Sequence, residues 1–212
     1  MTGFPELRRG LVAILRGLEP DEAAGIGGTI FEAGIEAIEV PLNSPEPFAS
    51  IETLARVLPE ALVGAGTVLA ARDVDRLHEA GGRLLVSPNI DAEVMQRANR
   101  HGMVTMPGVF TPTEALLALR LGASALKFFP ASVLGPSGIA AIRAVLPAKA
   151  IVGAVGGVSE SDFAAYGKVG VRTFGLGSSL FKPGMTAAMV GERARATVRA
   201  YDAVFGGGLD GR

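Results

Sequence analysis

Short aliphatic runs alternate along the chain with longer stretches in which apolar positions recur every three or four residues. The runs predict β-strands at Leu11–Arg16, Glu36–Pro41, Leu62–Thr67, Leu84–Ser87, Met103–Pro107, Ser124–Phe129, Ile151–Val155 and Arg172–Gly175. The helical spacing between them predicts helices such as Pro20–Ala33, Glu46–Leu58, Ala71–Ala80, Asp91–Arg100 and Thr113–Leu121. Three helix starts combine a capping candidate, an early proline and first-turn acids: Glu19-Pro20-Asp21-Glu22, Ser44-Pro45-Glu46 and Thr111-Pro112-Thr113-Glu114. Gly34, Gly81, Gly102 and Gly122 stand where a left-handed residue would end a helix. Pro41, Pro88, Pro107 and Pro130 follow strands, where a residue without an N–H turns the chain into a loop.

Eight strand–helix units in series predict a parallel sheet closed into a (β/α)₈ barrel, an α/β fold of the TIM-barrel type. No linker or change of composition divides the chain, so residues 1–212 are expected to form a single domain, with Gly206–Arg212 as a flexible tail. An apolar content of 49% is enough for a buried core and too high for a disordered chain. The formal net charge of −1, without a basic stripe, argues against a nucleic-acid partner. No apolar run reaches the roughly 20 residues of a membrane helix, and Met1–Gly10 lacks the apolar region of a signal peptide. The expectation is a cytoplasmic protein without a membrane partner. The chain has no cysteine and no histidine cluster, so neither a metal nor another cofactor is expected.

In a barrel of this kind chemistry sits at the C-terminal ends of the strands. Arg16, Glu39, Thr67 and Lys127 fall there, at or near the ends of the first, second, third and sixth strands. Lys127 is the lysine of an apolar strand, Ala125-Leu126-Lys127-Phe128-Phe129, whereas Lys149, Lys168 and Lys182 have polar, turn-like or helical surroundings. At a pKa of about 10.4 only about one lysine in 2,500 is neutral at pH 7. Burial and a neighbouring cation such as Arg16 would both lower that pKa and free a nucleophilic amine. A lysine here could equally snorkel from the strand end or pair with Glu39. Period-two alternation puts Glu39 on the face of Ala37, away from Ile38 and Val40. A carboxylate facing a barrel interior is either ion-paired, here with Arg16 or Lys127, or a proton carrier. Arg16 offers a planar fork for a carboxylate, and Thr67 a hydroxyl beside the small residues Gly64-Ala65-Gly66. The last two strands run into Gly156-Gly157 and Gly177-Ser178, where barrels often hold a phosphate on backbone amides. His78 and His101 lie late in helical segments and read as surface residues.

These segments together carry a resemblance. Ala13-Ile14-Leu15-Arg16-Gly17, Ile38-Glu39-Val40-Pro41-Leu42-Asn43-Ser44-Pro45, Gly64-Ala65-Gly66-Thr67-Val68, Ser87-Pro88-Asn89, Leu126-Lys127-Phe128-Phe129-Pro130 and Gly156-Gly157-Val158 resemble the bacterial KDPG/KHG aldolases, from about Leu11 to about Tyr201. The likeness is greatest to the 2-dehydro-3-deoxy-6-phosphogalactonate branch. It rests on Pro-Leu-Asn-Ser-Pro and on Val155 before the glycine pair, where the gluconate branch tends to have threonine. Val109-Phe110 departs from the small residues common at that place in the family.

The resemblance implies a homotrimer that reversibly cleaves a phosphorylated keto-deoxy sugar acid to pyruvate and glyceraldehyde 3-phosphate. It implies Lys127 as the Schiff-base lysine, Glu39 as general acid and base, and Arg16 and Thr67 as ligands of the pyruvate carboxylate. It also implies Gly156, Gly157, Gly177 and Ser178 at the phosphate, with Val155 tuning specificity. The gluconate epimer or an unphosphorylated keto-deoxy acid is the nearest alternative substrate. From another class, a phosphosugar isomerase or epimerase would use Glu39 without covalent chemistry, and a non-catalytic sensor would need neither Glu39 nor Lys127.

Overall fold

The structure is a computed structural model and describes residues 3–206. The chain alternates strand and helix: β1 Leu11–Ile14, α1 Ala23–Glu32, β2 Ala37–Pro41, α2 Pro47–Val57, β3 Leu62–Gly66, α3 Ala71–Glu79, β4 Leu84–Val86 and α4 Ala92–Arg100. It continues through β5 Val104–Met106, β6 Gly108–Val109, α5 Pro112–Arg120, β7 Leu126–Phe128, α6 Ala131–Arg143, β8 Val152–Val155, α7 Phe163–Lys168, β9 Thr173–Leu176 and α8 Ala187–Phe205. Every strand pairing is parallel, in the order β5-β4-β3-β2-β1-β9-β8-β7-β6.

The two ends of that order are consecutive in the chain: β5 lies within the predicted strand Met103–Pro107, and β6 continues it beyond the predicted end. Pro107 has no N–H to give the ladder, so the fifth stave breaks there into β5 and β6. Across the seam Ser124 and Ala125 donate to the Thr105 carbonyl at 3.1 Å each, and Lys127 donates to the Pro107 carbonyl at 2.9 Å. Those bonds join the ends of the sheet into a barrel of eight staves, as the sequence pattern predicts.

Alternation along the strands divides the apolar residues between two cores. Val12, Ala37, Leu62, Leu84, Val104 and Ala125 fill the barrel, with Phe4 and Leu7 of the N-terminal segment packed against them. A larger core, including Leu11, Ile38, Val63 and Phe174, joins the outer faces of the strands to the helices. Among the described residues, no helix is long and apolar enough to cross a membrane.

The four predicted terminating glycines all have positive φ: Gly34 99°, Gly81 78°, Gly102 65° and Gly122 82°. Thr111 and Glu114 form a complete capping box on α5. The other two predicted starts move inward. Residues 19–22 form a turn and α1 begins at Ala23 with no side-chain cap, while α2 begins after Glu46, itself left-handed at φ 35°. Ser44 does not cap a helix but accepts a hydrogen bond from the Gly17 N–H at 3.0 Å. Of the predicted tail, Gly206 closes α8 in the left-handed conformation, and 207–212 lie outside the described residues.

Candidate active site

One end of the barrel is hollow, and glycines flank both of its buried charged residues in the sheet. Lys127 has Gly108 and Gly153 as its register partners, and Glu39 has Gly64. The cavity of about 410 Å³ is lined by Arg16, Glu39, Thr67, Lys127 and Val155, together with Gly156, Gly157, Gly177 and Ser178. All the residues singled out from sequence therefore face one space. Two of them sit beyond their strands: β1 ends at Ile14 and β3 at Gly66, so Arg16 and Thr67 belong to loops. Gly17 at φ 81° and Thr67 at φ 56° both take the chain out of strand geometry.

Lys127 and Glu39 are buried, at 6% and 2% relative exposure, in the wall of this cavity. Burial drives the Lys127 amine below its usual pKa; Glu39 opposes the shift and Arg16 assists it. The amine also stands 4.8 Å from the centre of the Phe129 ring. Burial likewise raises the Glu39 carboxyl from 4.5 to about 7, against the attraction of Lys127 and Arg16. Glu39 Oε2 is buried with no hydrogen-bond partner among the described residues. No ion pair ties Glu39 to Arg16 or Lys127 among those residues, so the structural-pair reading finds no geometric support. A buried carboxyl without a partner costs stability, and its displaced pKa suits proton transfer near neutrality. Gly66 makes room for it: a Cβ at that position would lie 1.9 Å from Glu39 Oε2.

The loops after β8 and β9, β8 being the strand next to that of Lys127, form a polar rim on the same cavity. Gly156 and Gly157 have φ of 92° and 71°, open only to residues without a Cβ at low cost. Ser159 and Ser179 line the same rim, and Ser179 Oγ donates to the Val158 carbonyl at 3.3 Å, tying one loop to the other. The Arg193 guanidinium on α8 donates to the carbonyls of Ser178 and Ser179 at 3.5 and 3.4 Å. Val155, at the end of β8, is buried and lines the same cavity.

Sequence reasoning missed several members of the site. Phe129 lies two residues past Lys127, so strand alternation could have placed it on the same face. Pro88, Ser159 and Ser179 also line the cavity, and Asn43 accepts a hydrogen bond from Arg16. No spacing signals Asn43, because it joins loops from different strands. His78 is exposed, as expected; it stacks on His101, which is partly buried and bonded to Asp75 at 2.8 Å. No group of three or more His, Asp or Glu able to hold a metal ion occurs among the described residues.

A family model described as KDPG and KHG aldolase matches residues 7–192. A protein of Rhizobium meliloti named "probable 2-dehydro-3-deoxy-6-phosphogalactonate aldolase" is 62% identical over 96% of this chain and 97% of its own. The Escherichia coli 2-dehydro-3-deoxy-6-phosphogalactonate aldolase is 46% identical over 90% of this chain and 94% of its own. Among solved structures, one described as native KDPGal superimposes with a TM-score of 0.92, at 44% identity over 96% of this chain and 98% of its own. A KDPG aldolase from Legionella pneumophila, described with pyruvate captured as a covalent carbinolamine, superimposes with a TM-score of 0.77, at 25% identity over 93% of this chain and 94% of its own.

Proposed function

The chain belongs to the KDPG and KHG aldolase family, and on that premise we propose that it is a class I aldolase cleaving 2-dehydro-3-deoxy-6-phosphogalactonate to pyruvate and D-glyceraldehyde 3-phosphate. The observation that carries this reading is a buried amine and a buried carboxyl, its Oε2 without a hydrogen-bond partner among the described residues, facing one cavity whose rim is rich in glycine and serine. The two closely similar relatives carry the name of this activity.

The chemistry follows from those groups. The neutral Lys127 Nζ adds to the C2 carbonyl of the keto acid, and Glu39 passes a proton to the oxygen as the carbinolamine forms. Loss of water gives a protonated imine, an electron sink conjugated to C3. The C3–C4 bond then breaks: its electron pair enters the enamine, and the C4 hydroxyl gives up its proton as the aldehyde forms. Glu39, held near pH 7, suits both receipt of that proton and its delivery to C3. Hydrolysis of the imine releases pyruvate and restores the lysine. Because the imine supplies the electron sink, the sequence of steps needs no metal.

Arg16, with Thr67 beside it, is assigned to the substrate carboxylate, and Gly156, Gly157, Gly177 and Ser178 to the 6-phosphate. Anchored at both ends, the sugar chain spans the cavity past Val155, where a hydrogen-bonding side chain would meet the C4 hydroxyl. Valine withholds that bond, which supports a galacto preference over the gluco epimer. A homotrimer is the proposed assembly; exposed Leu69, Phe110 and Val133, all in segments that follow strands, are apolar surface available for it. A cytoplasmic location accords with a phosphorylated substrate. The direct test is pyruvate release from the two epimers, with the galacto compound the better substrate; no release from either defeats the assignment.

A further inference from the structure

Resting on the assignment of Arg16 to the pyruvate carboxylate, we propose that Asn43 is a positioning residue that aims the Arg16 guanidinium into the cavity. Arg16 needs such a support. It lies two residues beyond the end of β1, itself exposed between the buried Leu15 and Leu18, and a long side chain there is free to swing into solvent. Its described contacts are two: Nη1 donates to Asn43 Oδ1, and Nη2 stands 3.5 Å from Thr67 Oγ1. Both acceptors are neutral, so the positive charge is left for a ligand rather than spent on a protein carboxylate. Of the five N–H donors of a guanidinium, these contacts leave the others for a bidentate carboxylate.

The loop that carries Asn43 is itself fixed to the loop that carries Arg16. Ser44 Oγ, one residue on, accepts from the Gly17 N–H at 3.0 Å, and Ser44 is buried at 8% relative exposure. Gly17 is held at φ 81°, and a Cβ there would lie 2.7 Å from Pro183 Cγ, so the Arg16 loop packs closely on its other side. The Asn43-Ser44 pair thus holds both the backbone and the head group of the arginine segment. Asn43 need not touch substrate; its effect passes through the orientation of Arg16.

The test is borohydride trapping of pyruvate alone, in which the half-saturating pyruvate concentration reports carboxylate binding and the limiting rate reports the amine. Asn43→Ala should raise the half-saturating concentration about tenfold, the weight of one charge-assisted hydrogen bond, and leave the limiting rate unchanged. In an Arg16→Lys background, which has already lost the fork, Asn43→Ala should change the half-saturating concentration by less than about twofold. Equal effects in the two backgrounds, or no effect in the wild-type background, overturn the proposal. A fall in limiting rate at unchanged half-saturation also overturns it, by placing Asn43 with the amine chemistry. Failure of the wild-type protein to trap pyruvate at all is a separate result, which defeats the aldolase assignment rather than the role of Asn43.

Discussion

Replacing Glu39 with glutamine should spare the protein a loss of stability that wild type suffers as pH rises, and make it much less active. Burial holds this carboxyl at about 7 in the fold against an ordinary 4.5, so the folded state keeps a proton that the unfolded chain releases. The raised pKa fixes the sign. Below pH 4.5 the side chain is neutral in both states and burial of its charge costs nothing. As pH climbs through 4.5 to about 7, the unfolded state is increasingly favoured. At 1.36 kcal/mol for each pH unit of displacement, wild type should lose about 3 kcal/mol across that window. Glu39→Gln has no proton to lose and should lack this slope. The assay is urea unfolding of both proteins at equal concentration from pH 4.5 to 7.5, plotted as the difference in unfolding free energy. That difference should grow by about 3 kcal/mol in favour of the variant. Turnover should meanwhile fall about 10²–10⁴-fold, the usual weight of a general base. A flat difference curve would mean that Glu39 is ionised at no cost, with a partner that the cavity does not show. Unchanged turnover would remove it from proton transfer.

The other expectations concern the rest of the cavity. Val155→Thr should move the ratio of kcat/KM toward the gluco epimer by about threefold to tenfold, one added hydrogen bond; a wild-type preference for the gluco epimer, or a ratio indifferent to the substitution, refutes the role of this residue. Gly66→Ala would put a methyl group 1.9 Å from Glu39 Oε2, so turnover should drop toward that of Glu39→Gln; wild-type turnover would show that the carboxyl can work from elsewhere. EDTA should leave kcat unchanged, since the imine is the electron sink, and a chelator-sensitive rate contradicts the class I mechanism.

The barrel was legible because its signals are local and repeated. Glycine is the residue that takes positive φ at low cost, so Gly34, Gly81, Gly102 and Gly122 mark helix ends without reference to anything distant. Lys127 and Glu39 stood out because charge is rare in an apolar strand and alternation fixes the face it takes. What escaped depends on three-dimensional neighbours. Pro107 announces a break in the fifth stave, but only the pairing of Gly108 with Lys127 shows that the strand resumes beyond it. Gly135, at φ 64°, and Pro136 interrupt α6 and blur its period. Thr67 takes a left-handed conformation that threonine does not advertise, which is why the third strand ends one residue sooner than its composition suggests. Asn43 sits 27 residues from Arg16, and nothing in either segment names the other.

If Lys127 forms the imine, borohydride reduction in the presence of pyruvate, followed by peptide mass mapping, will mark it. The chain has four lysines, and Lys149, Lys168 and Lys182 lie outside the cavity wall. One pyruvate-derived adduct is expected, on the peptide containing Lys127, with full loss of turnover, and no adduct in Lys127→Arg, whose guanidinium stays protonated. An adduct on Lys149, Lys168 or Lys182, or turnover that survives reduction with pyruvate, would contradict it.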